Sequence, residues 1–397
     1  MINPKHLRAF LSVAQQGSVI RASEILRRAQ SAVTRSIKEL EGELGVPLFE
    51  RKTNGMLLTD FGRAFLRRTE AAFREMETAK RGFAAFPAAG TWNEHAPIFS
   101  LSVSWQRLLV LIELMEHRHM RVVADSLSIS QPAVSQILRE LEMGVCVDLI
   151  ARTPGGLQPT ALGTLLALHV RRALAEIRAG EAELASLAGA TAGEVRIGTL
   201  SLGRILLQRA ILDFNKAHPN VVISTVEGSY DYLAMLLRSG DIDFVIGALR
   251  PPEQMVGLVS EVVAEDVIVL VVRSAHPLAG KSDLGFADLE STNWVLPQRG
   301  TPTRESLERA LRARGIHEPT VVVETADVTI TRGLILESDF ISAVSHHWVQ
   351  REVDVGDLVV LPLRLPATER AIGIIQRSQS LASVAARLLM ESIRRVP

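Results

Sequence analysis

The chain has 397 residues, 47% of them hydrophobic, and its 44 Lys and Arg residues balance 44 Asp and Glu residues. This length and composition indicate a large soluble protein with several cores. No apolar run is long enough to cross a bilayer, which excludes a membrane-spanning chain. The polar amino terminus is unlike a signal peptide. We therefore expect a cytoplasmic protein.

An internal repeat dominates the first half of the chain. Residues 30–41 read QSAVTRSIKELE and residues 131–142 read QPAVSQILRELE, so the second copy begins 101 residues after the first (131 − 30 = 101). The match runs without a gap from about Asn3–Gly62 to Ser104–Gly163. Because each copy repeats a whole unit, the repeat sets the architecture.

Each copy has the pattern of two short helices followed by a third. In the first copy, apolar residues recur at helical spacing from Leu7 to Ala14, and Gly17-Ser18 ends that helix and caps the next, which runs to Leu26. After a short turn, a third helix begins near Gln30. Its apolar stripe leaves a polar, basic face, which is what a helix-turn-helix protein inserts into the major groove. The residues on that face are Gln30, Ser31, Thr34, Arg35 and Lys38.

Two further elements complete the unit. Residues 48–59 read LFERKTNGMLLT, which predicts a two-stranded wing that places Arg51 and Lys52 beside the phosphate backbone. Apolar spacing from Thr59 to Phe83 predicts a long amphipathic helix, and Thr160 to Leu187 repeats it. Because their apolar stripes need burial, we expect these helices to pair subunits in a homodimer or a dimer of dimers.

These residues resemble a known family. FLSVAQQGSVIRAS, QSAVTRSIKELE, ELGVPLFER and LLTDFG, in this order, are similar to the amino-terminal domain of LysR-type transcriptional regulators. The resemblance implies that Gln30, Ser31, Thr34 and Arg35 belong to the recognition helix. It also implies duplex operator DNA as a partner and leaves a contact with RNA polymerase open. The alternative is that Arg35 and Lys38 only form a solvated helix face.

The second copy differs from the first in charge. Residues 1–86 hold fifteen Lys or Arg against nine Asp or Glu, whereas residues 104–190 hold eight against nine. Because phosphate attraction dominates affinity for duplex DNA, we expect the first copy to be the better groove binder. Two interpretations of the second copy stay open: a DNA contact, or a retained fold that supports dimerisation or spacing. Its candidate DNA-binding residues are Gln131, Ser135, Gln136 and Arg139.

The remaining boundaries follow from loss of periodicity. Residues 87–103 are predicted to be a linker between residues 1–86 and 104–190. A second boundary lies within residues 189–193, GATAG, where a last domain of residues 191–397 begins. There, short apolar strands alternate with helices, which indicates α/β organisation with binding loops at the carboxyl ends of the strands. The one cysteine, Cys146, cannot form an internal disulfide, and we expect it to be buried with a structural role.

The resemblance continues through this last domain. GEVRIG, DFNKAHPNVVISTVEG, LRSGDIDFVIG and SAHPLAG are similar to the effector-binding portion of LysR-type regulators, which resembles periplasmic solute-binding proteins. The expected fold class is therefore α plus α/β: two winged helix-turn-helix domains followed by a two-subdomain effector domain. The resemblance implies subdomain I at residues 194–269 and 370–397, and subdomain II at residues 270–369.

Candidate effector contacts follow from strand ends together with that resemblance. Hydroxyls and free amides at helix starts favour a small polar molecule, and we expect an anion such as a carboxylate. A helix cap or turn is the alternative role for each single hydroxyl. The candidates are Thr199, Ser201, Ser229, Gly247 and Ala248 on one side, and Gln298, Thr301 and Thr303 on the other.

An enzyme and a solute-binding module are the two alternative classes of function. An enzyme would need a convergent acid, base or nucleophile, yet the sequence has no Gly-rich phosphate loop, nucleophile elbow or metal-spaced His cluster. A solute-binding module without a DNA function is opposed by the recognition helix. The sequence thus predicts a ligand-responsive bacterial transcription factor that is not an enzyme and needs neither a cofactor nor a metal.

Overall fold

A computed structural model describes residues 2–52, 55–86, 92–154, 156–189, 193–200, 203–316, 319–366, 368–378 and 380–396, except for the side chains of Arg51, Lys52 and Ile205. Within these ranges the chain forms two winged units, a pair of long helices and two five-stranded sheets. No helix in the described ranges is long and apolar enough to cross a membrane.

The first winged unit follows its predicted boundaries closely. Asn3 and Ser18 cap the first two helices through their side chains, and Gly17 and Gly45 end helices in the left-handed conformation. The wing strands are antiparallel, with Phe49 opposite Leu58. The elements are α1 Pro4–Gln16, α2 Val19–Leu26, α3 Gln30–Leu44, β1 Phe49–Lys52 and β2 Gly55–Leu58.

The second winged unit reproduces the first. Its wing has the same register, with Ile150 opposite Pro159, each 101 residues beyond its counterpart. Arg118 and Cys146 take the left-handed positions of Gly17 and Gly45. The elements are α5 Trp105–His117, α6 Met120–Ser126, α7 Gln131–Val145, β3 Ile150–Thr153 and β4 Gly156–Pro159.

The expected burial of Cys146 is wrong. Its side chain is exposed, because the residue ends α7 at φ +61°, where the chain turns away from the core. The position is that of a helix carboxyl cap, which glycine usually occupies.

The long helices pack against each other. Thr59 and Thr160 cap α4 (Asp60–Ala84) and α8 (Ala161–Leu187) by accepting from the amides of Gly62 and Gly163. The helices run antiparallel, with Phe65 of α4 beside Gly180 and Gly82 beside Leu165. The apolar stripes that were expected to pair subunits are thus packed against each other within one chain.

The described part of the predicted linker is not an extended connection. Residues 92–103 include a 3-10 turn at Pro97–Ser100, and Ile98, Phe99 and Leu101 are buried in the core shared by the two winged units. The rings of Phe83, Trp92 and Phe99 meet with centroids 5.2–5.5 Å apart. This segment therefore holds the second unit against the end of α4.

The last domain contains two sheets, each with its own helices. In subdomain I the strand order is β6-β5-β7-β14-β8, and in subdomain II it is β11-β10-β12-β9-β13. The bounds in subdomain I are β5 Gly193–Thr199, α9 Arg204–Ala217, β6 Val221–Glu227, α10 Tyr230–Ser239, β7 Phe244–Ala248, β8 Leu258–Asp266, β14 Arg370–Arg377 and α14 Val384–Arg394. Those in subdomain II are β9 Ile268–Arg273, β10 Asn293–Leu296, α11 Pro302–Arg312, β11 Thr320–Glu324, α12 Val328–Glu337, β12 Phe340–Ser345, α13 His346–Val355 and β13 Leu358–Val360.

The chain crosses between the sheets twice. β8 ends at Asp266 in the first sheet, and β9 begins at Ile268 in the second, so the first crossing lies at Val267 rather than after residue 269. β13 ends at Val360 in the second sheet and β14 begins at Arg370 in the first, so the chain returns between these two residues. Ile268 and Val269 already pair with β12, which assigns them to subdomain II.

Candidate DNA-reading face and effector cleft

The polar face of α3 is open to solvent. Val33, Ile37 and Leu40 are buried on the opposite side, which fixes the rotation of the helix. Thr34 is half-buried at the edge of the open face. The fully exposed side chains are Gln30, Ser31, Arg35 and Lys38.

Arg35 is held by an acid on its own helix. Its Nε donates to Glu39 at 2.7 Å, and His6 of α1 lies 3.5 Å from the other carboxylate oxygen. The hydrogen bond from Arg35 lowers the pKa of Glu39, and the same bond raises the pKa of Arg35. This geometry orients the guanidinium and leaves its other N–H groups free to reach a base or a phosphate. The side chains of Arg51 and Lys52 lie outside the described part of the structure.

In the second unit, two of the predicted residues line a cleft. Gln131 and Ser135 of α7 face the wing, while Gln136 donates to Glu140 at 2.9 Å and Arg139 is exposed. The cleft also contains three arginines, of which Arg118 and Arg121 were missed by the sequence analysis. The alignment of the repeats could have found Arg118, since it replaces a glycine at a left-handed position.

The sheet registers bring one edge of each subdomain to the crossing strands. In subdomain I, β5, β6 and β7 are parallel, and β14 is antiparallel to β7 with Ile372 opposite Ala248. Thr199, Ala248, Asp266 and Arg370 therefore lie at the same edge. In subdomain II, Leu296, Glu324 and Ser345 end parallel strands at the edge where β9 begins. The cleft between these two edges is where binding loops are expected.

The predicted contacts in subdomain I have different environments. Thr199 is 3% exposed, and its Oγ1 has no hydrogen-bond partner among the described residues. Ser229 caps α10 by accepting from Tyr232 N at 3.3 Å, so its hydroxyl already has a structural role. Gly247 and Ala248 are buried, and a Cβ on Gly247 would lie 2.4 Å from Leu200 Cβ. Ser201 lies outside the described residues.

The predicted contacts in subdomain II surround the start of α11. Gln298 is exposed, and its carbonyl accepts from the hydroxyl of Thr301 at 2.8 Å. Thr303, in the first turn, accepts from the guanidinium of Arg370 across the cleft. Thr303 is thus brought to the strand edge of subdomain I, whereas Gln298 and Thr301 form a turn.

Three cleft arginines were missed by the sequence analysis. Arg370 is 8% exposed and pairs with buried Asp266, yet its Nε has no partner among the described residues. Nη1 of Arg250 and Nε of Arg204 are also buried atoms with no hydrogen-bond partner among the described residues. Burial lowers the pKa of Arg250 and Arg370, although Tyr230 and Asp266 respectively oppose the shift. Such N–H groups are suited to an anionic ligand.

The cleft arginines lie near the ends of strands and the start of a helix, and they interact with residues of neighbouring elements. Arg250 stacks over Tyr230 at 5.0 Å, and Glu305 of α11 acts on its charge from the other subdomain. Arg204 pairs with Glu227 at 2.9 Å. The amides of Ile330 and Thr329 lower the pKa of Asp327 at the start of α12, and the charge of Arg204 adds to this shift. Single arginines beyond strand ends carry no motif, so the sequence offered no signal for this cluster.

Family models match most of the chain. The model described as "Bacterial regulatory helix-turn-helix protein, lysR family" matches twice, at residues 4–63 and 105–164, and "LysR substrate binding domain" matches residues 188–397. The resemblance predicted from the residues is confirmed. The double match covers both copies of the internal repeat.

Curated relatives agree with this assignment. The HTH-type transcriptional regulator GalR of Pseudomonas putida is 43% identical over 395 residues, which are 99% of this chain and 97% of that protein. The regulator GbpR of Azospirillum brasilense is 28% identical and covers 73% of this chain and 85% of its own length.

Solved structures share the fold. CbnR in complex with its target DNA aligns with a TM-score of 0.52 at 21% identity, over 74% of this chain and 99% of that one. A full-length OxyR variant from Pseudomonas aeruginosa aligns with a TM-score of 0.55 at 20% identity, over 74% and 95%. Both leave about a quarter of this chain unmatched.

Proposed function

Because the chain belongs to the family of LysR-type transcriptional regulators, we propose that it binds operator DNA through its first winged unit and a small anionic effector in the cleft. A regulator of this kind acts in the bacterial cytoplasm, where the operator is. Since α4 and α8 bury each other within one chain, we place contacts between subunits on other surfaces.

The exposed face of α3 supports the DNA contact. Arg35 and Gln30 present forked or paired hydrogen-bond groups that can bind base edges in the major groove, and Arg51 and Lys52 follow on the wing strand. We expect Arg35→Ala to reduce affinity for DNA fragments enriched by the protein much more than for random DNA. The control is Arg74→Ala, which removes one exposed charge from the middle of α4. Equal loss on both DNAs would reduce Arg35 to a phosphate contact.

The observation that carries the effector proposal is a cluster of buried cleft atoms that have no hydrogen-bond partner among the described residues. Thr199 Oγ1, Arg250 Nη1 and Arg370 Nε belong to different strands and loops, yet all lie at the cleft edge of subdomain I. An anion between the subdomains would accept from the arginines and the threonine at once. Arg370 is buried and Arg250 is half-buried, so a bound anion gains hydrogen bonds without the full cost of ordering long exposed side chains.

A thermal-shift panel of carboxylates, phosphate and neutral polyols, measured on the full chain, tests the effector. An anion that binds only the folded protein raises its Tm by mass action. Thr199→Val should remove or reduce the shift, whereas Thr320→Val, at the opposite edge of subdomain II, should keep it. A shift produced by neutral polyols alone would contradict an anionic effector.

The contacts of subdomain I with α4 and α8 provide a route from the cleft to the DNA-binding units. Arg68 donates to the carbonyls of Leu381 and Ala382, and Arg377 at the end of β14 pairs with Glu176 at 3.1 Å. An effector can act only through different affinities for two states. We therefore expect occupancy to change the DNA footprint rather than only the overall affinity.

A further inference from the structure

Two of the ion pairs between α4 and α8 are related by the internal repeat. Arg68 pairs with Glu176 at 3.1 Å, and His169 pairs with Glu75 at 2.7 Å. The repeat offset of 101 residues converts Arg68 into His169 and Glu75 into Glu176. Contacts that are exchanged in this way define an isologous, twofold interface. The helix pair therefore relates the two winged units by a pseudo-twofold axis within one chain.

We propose that the second winged unit is a DNA reader of its own, so that one chain recognises a bipartite operator made of two unlike half-sites. This inference rests on the proposed DNA contact of the first unit. Paired winged or helix-turn-helix units bind paired half-sites because their twofold axis coincides with a twofold axis of the duplex. Here both units of the pair come from one polypeptide and carry different side chains.

The cleft of the second unit has the charge that a phosphate backbone requires. It lies between the start of α6, the start of α7 and the wing, and none of the described residues that line it is acidic. Arg118 donates from the turn before α6 to Gln158 of the wing at 3.5 Å. Its φ of +53° is one that glycine adopts at less cost, so the backbone gives no reason for arginine at this position. The polar lining residues are Arg118, His119, Arg121, Gln131, Ser135, Arg152 and Thr153.

The near-zero charge of residues 104–190 does not describe this face, because several acids have structural partners elsewhere. Glu116 pairs with Arg171 of α8 at 2.9 Å. Glu142 accepts from the amides of Leu149 and Ile150 at 3.0 and 3.1 Å. Glu176 and Glu183 face Arg68 at the helix pair. The arginines of the cleft are thus separated in space from the acids that cancel them in the sum.

Corresponding side chains on the two recognition helices show why the half-sites should differ. In the first unit, Arg35 donates to Glu39, which His6 contacts. At the same repeat positions, Gln136 donates to Glu140, which Arg107 contacts. Each unit therefore uses an acid to orient one exposed side chain of its recognition helix.

The exchange of Arg35 for Gln136 alters the base that each unit can bind best. Arginine donates a fork to the two acceptors of guanine, while glutamine both donates to and accepts from adenine. A guanine is therefore expected in the half-site of the first unit, and an adenine at the matching position in the half-site of the second unit. Gln136→Arg should make the two half-sites more alike.

The test is enrichment of duplexes from a random pool by the full chain at defined salt. The wild type should enrich a site with two unlike halves and bind it with one chain per bipartite duplex. Gln136→Arg should change the adenine of one half to guanine, with about tenfold or more preference for the new base, and Arg35→Gln should change only the other half. Arg118→Ala with Arg121→Ala should weaken binding and flatten its salt dependence by about two units of slope.

The possible outcomes distinguish a failure of the proposed DNA function from a failure of the second unit to read DNA. Arg74→Ala, on α4 away from both recognition helices, should enrich the wild-type site. If the wild type enriches no sequence, the proposed DNA function fails. If it enriches a site whose two halves are identical and both change with Arg35→Gln, or if the Gln136 and Arg118/Arg121 variants bind as the wild type does, the second unit is not a reader. Circular dichroism spectra equal to that of the wild type show that the surface variants are folded.

Discussion

Arg68 of α4 and Glu176 of α8 form a buried ion pair of 3.1 Å, with side chains only 3% and 7% exposed. The same guanidinium contacts Glu183 and two carbonyls of the segment before α14. One side chain thus joins both long helices to subdomain I. A buried charge with this many partners is satisfied only while all three elements remain together.

Arg68→Ala should therefore lower the free energy of unfolding by about 3–5 kcal/mol, because Glu176 and Glu183 lose a buried partner. The matched control is its neighbour Arg67, which pairs with the same Glu183 but is 61% exposed. Arg67→Ala should cost less than about 1 kcal/mol. Urea unfolding of the full chain followed by circular dichroism compares the two. Equal losses would show that the burial of Arg68 is energetically unimportant.

Glu75 predicts a dependence of stability on pH. Burial by itself would raise its pKa, but the hydrogen bond from His169 and the charges of Arg172 and Arg377 outweigh burial and lower it. A carboxyl with a depressed folded pKa stabilises the protein above its unfolded value of about 4.3, and this contribution is lost as the pH falls through the folded value. The difference in unfolding free energy between wild type and Glu75→Gln should be constant near neutrality and shrink in acid. Glu77→Gln, on the exposed side of α4, is the control.

The helices and wings of the repeated units could be predicted because they depend on local patterns. The long helix expected from Thr59 to Phe83 is α4 at Asp60–Ala84, since a threonine cap and an apolar stripe define it. The partner of that stripe could not be predicted. Periodicity shows that a face is buried but not what covers it, and α8 of the same chain covers α4.

The candidate site was predicted less completely than the fold. Thr199 ends β5 and Ser229 follows β6, yet Ser229 caps a helix, whereas Thr199 is buried at the cleft with no hydrogen-bond partner for its hydroxyl among the described residues. Whether a hydroxyl caps a helix depends on which residue begins that helix, and a shift of one residue changes the outcome. Arg250 and Arg370 reach the cleft from a loop and from a crossing strand, and only the folded sheets bring them together.

Glycines at the start of the long helices should be intolerant of substitution. A Cβ on Gly62 would lie 2.1 Å from Leu48 O, and one on its repeat counterpart Gly163 would lie 2.0 Å from Leu149 O. Either alanine would push the helix off its wing and should cost about 1–3 kcal/mol or more. Gly42→Ala, in α3 with open space around the glycine, should instead stabilise by about 0.5–1 kcal/mol. A tolerated Gly163→Ala would show that α8 and the second wing pack less closely.

Cys146 offers a stabilising substitution. It ends α7 at φ +61°, a conformation that costs a residue with a Cβ about 1–2 kcal/mol relative to glycine. Cys146→Gly should therefore raise the free energy of unfolding by about 1 kcal/mol, whereas Cys146→Ala should not. Since the thiol is exposed, iodoacetamide should also label Cys146 in the folded protein. Labelling only after addition of denaturant would contradict the exposed position.

Arg250 should favour effector binding at the expense of the stability of the unliganded protein. Its pKa is lowered mainly by burial, so the folded state disfavours its charge even though Tyr230 and Glu305 attract it. Its Nη1 also has no hydrogen-bond partner among the described residues. Arg250→Met keeps most of the packing volume but removes the half-buried charge, so the unliganded variant should have a Tm at least as high as the wild type. The Tm increase caused by the best carboxylate or phosphate of the panel should be lost.

Arg209→Met, on the exposed side of α9, should change neither value. A destabilised Arg250→Met protein that still responds fully to the anion would show that Arg250 is a structural residue and not a ligand contact.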